Sequence, residues 1–130
     1  MKKQKPYCDN IKNKMLETEG GSICISVISL AEVSLGLEKS KDIKLSELKK
    51  QELTNAINHI LKSIIVLEFN DEAGWIYGKI RAELLKTGQD IGIADSLIAA
   101  HAIANNIILV TNNVKHFQRI PNLKLQNWIS

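Results

Sequence analysis

Ser22-Ile23-Cys24-Ile25-Ser26-Val27-Ile28 is a short, nearly continuous isoleucine- and valine-rich run, and it passes without a break into Ser29-Leu30-Ala31-Glu32-Val33-Ser34-Leu35-Gly36-Leu37-Glu38. The first seven residues lack the polar alternation of a half-solvated strand and suit one buried on both faces, as in a parallel sheet. The next ten return to helical spacing, with Leu30, Val33 and Leu37 on one stripe. A strand that feeds straight into a helix is the building unit of α/β folds.

The same alternation continues in both directions. Upstream, Asp9 to Glu17 reads as a short helix closed by Gly20-Gly21. Downstream, Lys41 to Lys62 carries Ile43, Leu48, Leu53, Ile57, Ile60 and Leu61 among lysines and glutamates, an amphipathic helical region whose apolar face needs cover. Ile64 to Leu67 is the next strand, and Glu72 to Lys86 is a helix with Ile76, Ile80 and Leu84 in register and Gly88 as its stop. Asp95 to Asn106 is an alanine-rich helix, Ile107 to Val110 a buried strand and Leu123 to Gln126 a short final strand. The pattern predicts an α/β fold in which a parallel sheet is covered by helices on both faces. There is no internal repeat, and Pro6 and Pro121 are the only prolines, so residues 1–130 read as a single domain.

Composition narrows the function classes. With 45% hydrophobic and 24% charged residues the chain lies in the globular range, which excludes wholesale disorder. A net charge of +3 permits an acidic partner such as RNA without requiring one. Cys8 and Cys24 have no metal-site spacing and His59, His101 and His116 are scattered, so a zinc cluster is not indicated. Cys24, between two isoleucines, reads as a buried core thiol. No apolar run approaches the ~18 residues of a membrane span, and Met1-Lys2-Lys3-Gln4-Lys5-Pro6 is not followed by a signal-peptide core; a cytoplasmic protein is expected.

In an open parallel sheet the ligand site lies outside the carboxyl ends of the strands. Glu32 follows the strand Ser22 to Ile28 by about one helical turn, Asp95 opens a helix whose far end feeds Ile107 to Val110, and Asn112-Asn113 leave the end of that strand. Three oxygen-bearing positions far apart in sequence are thus directed to one edge. Clustered carboxylates repel unless a cation neutralises them, and oxygen-only donors suit magnesium or manganese. Each residue also has a plainer reading. Asp95 has the wording of an N-cap, Glu32 of a solvated helical glutamate and Asn113 of turn chemistry. His101, off the helical face of Asp95, reads as a satisfied helix histidine; Trp75, Tyr77 and Trp128 read as packing residues.

The wording of three segments adds to this. Ile25-Ser26-Val27-Ile28-Ser29-Leu30-Ala31-Glu32-Val33 with Gly36 resembles the second acidic motif of VapC-type PIN-domain ribonucleases. Ile91-Gly92-Ile93-Ala94-Asp95-Ser96-Leu97-Ile98-Ala99-Ala100-His101-Ala102 resembles the third. Leu109-Val110-Thr111-Asn112-Asn113, with Phe117 and Arg119, resembles the fourth, and Leu123 to Trp128 resembles the closing strand. The likeness runs from about Ser22 to Trp128. It implies a PIN-like three-layer fold with sheet order 3-2-1-4-5 and an endoribonuclease toxin dependent on Mg²⁺ or Mn²⁺. It also implies RNA as substrate, a cognate antitoxin protein and homodimers. By the same resemblance Glu32 and Asp95 are metal ligands, and Asn113 holds or orients the metal or its water.

One departure stands out. The family opens with an apolar strand ending in a first aspartate, and that strand is the middle of the sheet; here it is apparently absent, so the domain reads as N-terminally incomplete. Tyr7-Cys8-Asp9-Asn10 echoes the wording, yet too few residues separate Asp9 from Glu32 for the intervening helix. A sheet without its central strand would expose apolar flanks and unpaired backbone donors. The alternative function is therefore a catalytically weak or inactive PIN-like module that binds antitoxin or RNA. A receiver-like or nucleotide-binding domain is disfavoured because no glycine-rich phosphate loop follows a strand.

Overall fold

The computed structural model describes residues 15–17, 23–40 and 46–127. Five strands and five helices follow in the order β1 (Met15–Glu17), β2 (Ile23–Ser26), α1 (Val27–Ser40), α2 (Glu47–Ser63), β3 (Ile65–Leu67), α3 (Asp71–Lys86), α4 (Ile93–Ala104), β4 (Ile108–Val110), α5 (Val114–Phe117) and β5 (Leu125–Gln126). The sheet order is β3-β2-β1-β4-β5. β2 pairs with β3 and β4 with β5 in parallel, whereas β1 runs antiparallel to both of its neighbours. Four strands therefore share one direction and the central one opposes them.

That central strand corrects two expectations. Its residues fall inside the segment Asp9 to Glu17 read as helix, of which residues 9–14 lie outside the described residues. Moreover, the middle of the sheet is not bare: Met15, Leu16 and Glu17 face Ile25, Cys24 and Ile23 on one side and Val110, Leu109 and Ile108 on the other. The reason is energetic. The inner edges of β2 and β4 carry backbone groups that need partners and apolar side chains that need cover, and Met-Leu supplies both whichever way it runs.

Alternation along the sheet then builds the core. Leu16, Cys24 and Leu109 point to one face, where they join Leu84, Ile98, Ala99, Ala102, Phe117 and Ile120 from α3, α4, α5 and its following turn. Met15 and Val110 point to the other, against Val33 of α1 and Leu53 and Ile57 of α2. A sheet with two apolar faces and helices on each is the three-layer α/β arrangement expected. Leu53 and Ile57 of the amphipathic region Lys41 to Lys62 are thus covered by the domain's own sheet.

The remaining boundaries shift for local reasons. β2 stops at Ser26 because the Ser26 hydroxyl accepts the Ile28 N–H at 3.0 Å and turns the chain into α1, two residues earlier than apolar continuity suggests. α2 begins after Ser46, whose side chain accepts the Lys49 N–H; residues 41–45 lie outside the described residues. Asn70 caps α3 the same way through the Ala73 N–H at 3.0 Å. Gly88, at φ +70°, ends that helix in the left-handed conformation glycine tolerates, as expected.

Candidate functional site

The turn from Gln89 to Gly92 places everything at the start of α4. Asp90 receives a two-pronged contact from the Arg81 guanidinium, Nη1 to Oδ1 and Nη2 to Oδ2, and its Oδ1 also accepts the Gly92 N–H at 2.7 Å. Arg81 first and the Gly92 N–H second hold the Asp90 carboxyl below the usual carboxylate range. Gly92 sits at φ +94°, and it is Gly92, not Asp95, that occupies the N-cap of α4. Asp95 is consequently the third residue of the helix, and the capping role allowed by its sequence is not the one it takes.

Its carboxylate turns instead to the far side of the site. His116 Nε2 lies 3.0 Å from Asp95 Oδ2 and 3.0 Å from the Ile91 carbonyl oxygen. Because both neighbours accept, Nε2 carries the proton and donates to both. His116 belongs to α5, the single turn that follows β4, so this contact brings the start of α4 to the exit of β4. The ring also meets Phe117 edge-on, with centroids 5.4 Å apart, and Phe117 is buried in the core. Core packing thereby sets the height of the imidazole. Sequence reading left His116 among scattered histidines; its place beside an anchored Phe117, just past Asn112-Asn113, was the available signal.

Asn113 itself sits between the two. It occupies the N-cap of α5 without a side-chain cap bond, its N–H donates to Thr111 Oγ1 at 3.0 Å, and its carbonyl accepts the His116 N–H at 3.1 Å. Thr111 is buried and Asn113 exposed, so the amide stands at the surface of the β4 exit.

Glu32 arrives from the other side. It lies in the second turn of α1, half-buried, on a helix that leaves the carboxyl end of β2 and packs against α4. The departure point is fixed by His101, which is wholly buried. His101 Nε2 donates to the Glu68 carbonyl at 2.8 Å, just beyond β3, and Nδ1 accepts from the Ser26 hydroxyl at 2.7 Å, at the end of β2. Burial lowers the affinity of this imidazole for a second proton, against a weaker opposing effect of the Glu68 carbonyl. His101 is thus a satisfied structural histidine, as expected, and Ser26 is the polar residue in the apolar strand whose purpose sequence reading missed.

Among the described residues no group of three or more His, Cys, Asp or Glu side chains is arranged to hold a metal ion. The residues expected at this edge are two carboxylates, Glu32 and Asp95, and one amide, Asn113. That set fits a hard cation in kind, since magnesium is commonly held by one or two carboxylates and completes its shell with water and substrate phosphate oxygens. β1 adds no acid here. Its reversed direction puts Met15 beside Ile25 and Val110 at the carboxyl edge and sends Glu17 to the starts of β2 and β4. Asp9 lies outside the described residues.

Elsewhere, Cys24 is buried, its thiol 3.5 Å from the Leu16 carbonyl and made less acidic by burial, as a core thiol should be. No helix among the described residues is long and apolar enough to cross a membrane.

Comparison with known proteins agrees with this architecture. Residues 4–123 match the PIN domain family model. The chain is 41% identical to Ribonuclease VapC2 of Rickettsia felis over 122 residues, 94% of this chain and 84% of the relative. It is 34% identical to the tRNA(fMet)-specific endonuclease VapC of Salmonella typhimurium, over 82% of this chain and 75% of the relative. Among solved structures it resembles VapBC2 from Rickettsia felis bound to a promoter DNA fragment, with TM-score 0.72, 43% identity, and 82% of this chain and 75% of that chain covered. VapBC-1 from nontypeable Haemophilus influenzae is similar at TM-score 0.69 and 33% identity, covering 82% of this chain and 75% of that one. The order of the sheet, the three-layer packing and these relatives together establish that the chain belongs to the PIN-domain family and groups within it with the VapC ribonucleases.

Proposed function

We propose that this protein is the ribonuclease toxin of a toxin–antitoxin pair, cleaving RNA phosphodiesters with Mg²⁺ or Mn²⁺ and held in check by a cognate antitoxin protein. The observation that supports this most is the state of Asp95: released from capping by Gly92, it is oriented by His116 at the exit of β4. In this reading Glu32 and Asp95 hold the cation and Asn113 orients it or its water. When bound, such a cation activates water and neutralises the charge that builds on the phosphodiester. The protein's own part is positional. His101 and Ser26 set where α1 departs and hence where Glu32 stands, and the Asp90 turn sets the first residues of α4.

A second reading has an observation in its favour. With Met15 at the carboxyl edge, β1 brings no carboxylate there, and no group of three or more acids or histidines is arranged for a metal among the described residues, which suits a module that binds antitoxin or RNA with little turnover. One experiment separates the two: purified full chain is incubated with transfer RNAs, including the initiator species named for the Salmonella relative, and with structured RNAs, with and without magnesium. Metal-dependent cleavage that Asp95→Asn abolishes supports the enzyme; RNA retention without cleavage supports the module.

A further inference from the structure

Between α3 and the turn that follows α5 lies a recess of about 420 Å³. Leu84 and Ile120, both buried, belong to the core beneath it, and Ile76, Ile80, Ile103 and Pro121 complete its apolar lining. Protein interiors pack to the density of organic crystals, so an apolar recess of this size is a shape the fold maintains. Its volume and character are those of a small-ligand pocket, mostly apolar with a few polar groups that fix orientation.

Those polar groups describe the ligand. Lys79 on α3 and Arg119 beyond α5 are both exposed and, with Glu83 as the single acid, give the lining an excess of positive charge. Gln89 and Asn122 add two side-chain amides, each able to donate and to accept. A nucleotide answers each feature: the faces of its base suit the apolar walls, the polar edge of the base suits the amides, and its phosphate suits the cations. A hydrocarbon ligand would use only the walls.

The recess also adjoins the Asp95 edge through one turn. Gln89 opens that turn, and Arg119 Nη1 donates to the Asp90 carbonyl at 3.4 Å. His116, three residues before Arg119, donates to the next carbonyl, that of Ile91, and to Asp95. Successive residues of one turn are therefore gripped from the recess and from the metal edge, and successive Cα atoms are only about 3.8 Å apart. The acid of this turn, Asp90, is paired with Arg81 and does not repel a passing phosphate.

We propose that the recess is a nucleotide subsite. It receives one unpaired base of an RNA whose backbone continues to the Asp95 edge, with Lys79 and Arg119 beside the flanking phosphates. This rests on the reading of the chain as a protein that acts on RNA, and it holds whether or not the RNA is cut.

The test is fluorescence anisotropy in EDTA, with the purified full chain and a short fluorescein-labelled single-stranded RNA. Copies of that RNA carry one abasic nucleotide at each position in turn. Wild type is expected to lose roughly tenfold in affinity at one position, the value of one seated base. Ile76→Trp fills the recess from a half-buried wall position outside the core cluster, and circular dichroism checks its fold. It should lose as much with intact RNA and nothing further with that abasic copy. Lys79→Ala should weaken all copies alike and reduce the slope of log affinity against log salt by about 0.7. The abasic scan needs no variant, and a wild-type chain indifferent to every abasic position would overturn the subsite, even if it cleaves RNA with magnesium. Losses from Ile76→Trp and the abasic copy that add instead of coinciding would also overturn it. So would an Ile76→Trp chain that changes its oligomeric state while binding RNA as before, which would assign the recess to a second copy. Position-dependent binding without cleavage under magnesium would leave the subsite standing and remove the nuclease reading alone.

Discussion

His116 donates one N–H to two acceptors, Asp95 Oδ2 and the Ile91 carbonyl, each 3.0 Å away. The imidazole therefore bridges the turn before α4 and the acid within it, and a change at position 116 should be felt at position 95. Replacing His116 by alanine is expected to leave the fold intact and to weaken Mn²⁺ binding roughly ten- to a hundredfold, the usual consequence of freeing a ligand from its orienting partner. Glutamine, which can still donate, should recover part of the loss. Calorimetric titration decides it, and undiminished affinity in the alanine variant would show that Asp95 needs no such support.

Glu32→Gln and Asp95→Asn should each weaken Mn²⁺ binding and suppress metal-dependent RNA cleavage while leaving thermal stability nearly unchanged, because relief of carboxylate repulsion offsets lost hydrogen bonds. The check is titration and melting on the same preparations. Unaltered metal affinity in both variants would remove these residues from the site.

Acid should loosen the anchor of α1 before it touches the Asp90 turn. His101 is neutral in the fold, with its proton affinity lowered mainly by burial, while an unfolded histidine titrates near ~6.5. The unfolded chain thus binds more protons below that value, and stability falls as pH drops from about 6.5 through the lower folded pKa. Asp90, held down by Arg81, loses its contribution only below about 3.9. Urea midpoints measured from pH 8 to 5 should decline in wild type and flatten in His101→Gln. Parallel slopes would assign the acid sensitivity to other groups.

Leu16→Ala tests whether three residues can serve as the middle of a sheet. Leu16 is fully buried in the larger core cluster between Cys24 and Leu109. Its truncation should cost about 2–5 kcal/mol, as for other leucines with no room to collapse. A urea-denaturation difference below about 1 kcal/mol would mean that β1 is not integral to the folded core.

Gly92→Ala should cost on the order of 1 kcal/mol, since φ +94° is strained for any residue with a Cβ. The loss should appear in thermal melts and be accompanied by weaker Mn²⁺ binding, because the same glycine sets where Asp95 falls in α4.

Much of this was legible beforehand, and the reasons differ by element. Apolar runs such as Ile23–Ser26 and stripes such as Leu30, Val33 and Leu37 act locally, and periodicity reports them. Wording located Glu32, Asp95 and Asn113 on the elements that carry them. What escaped was set by distant partners. Met15-Leu16-Glu17 has no strand-like period of its own and becomes a strand only because β2 and β4 offer it two edges. Likewise Ser26, His101 and Glu68 meet across three elements, and the Glu68 carbonyl leaves no mark in the side-chain sequence.

The antiparallel β1 also governs when this protein can exist during its own synthesis. Met15 and Leu16 form ladder pairs with Val110 and Leu109, near the opposite end of the chain. Those partners are synthesised more than ninety residues after β1, at a pace of roughly 5–20 residues per second. Until then the nascent chain lacks both the sheet's closing contact and the β4 exit on which His116 and Asn113 depend. Contacts so distant in sequence fold slowly, and a ribosome that stalls before β4 leaves β1 without one of its two ladder partners. The edge that carries His116 and Asn113 is thus assembled only after β4 has been made and paired with β1.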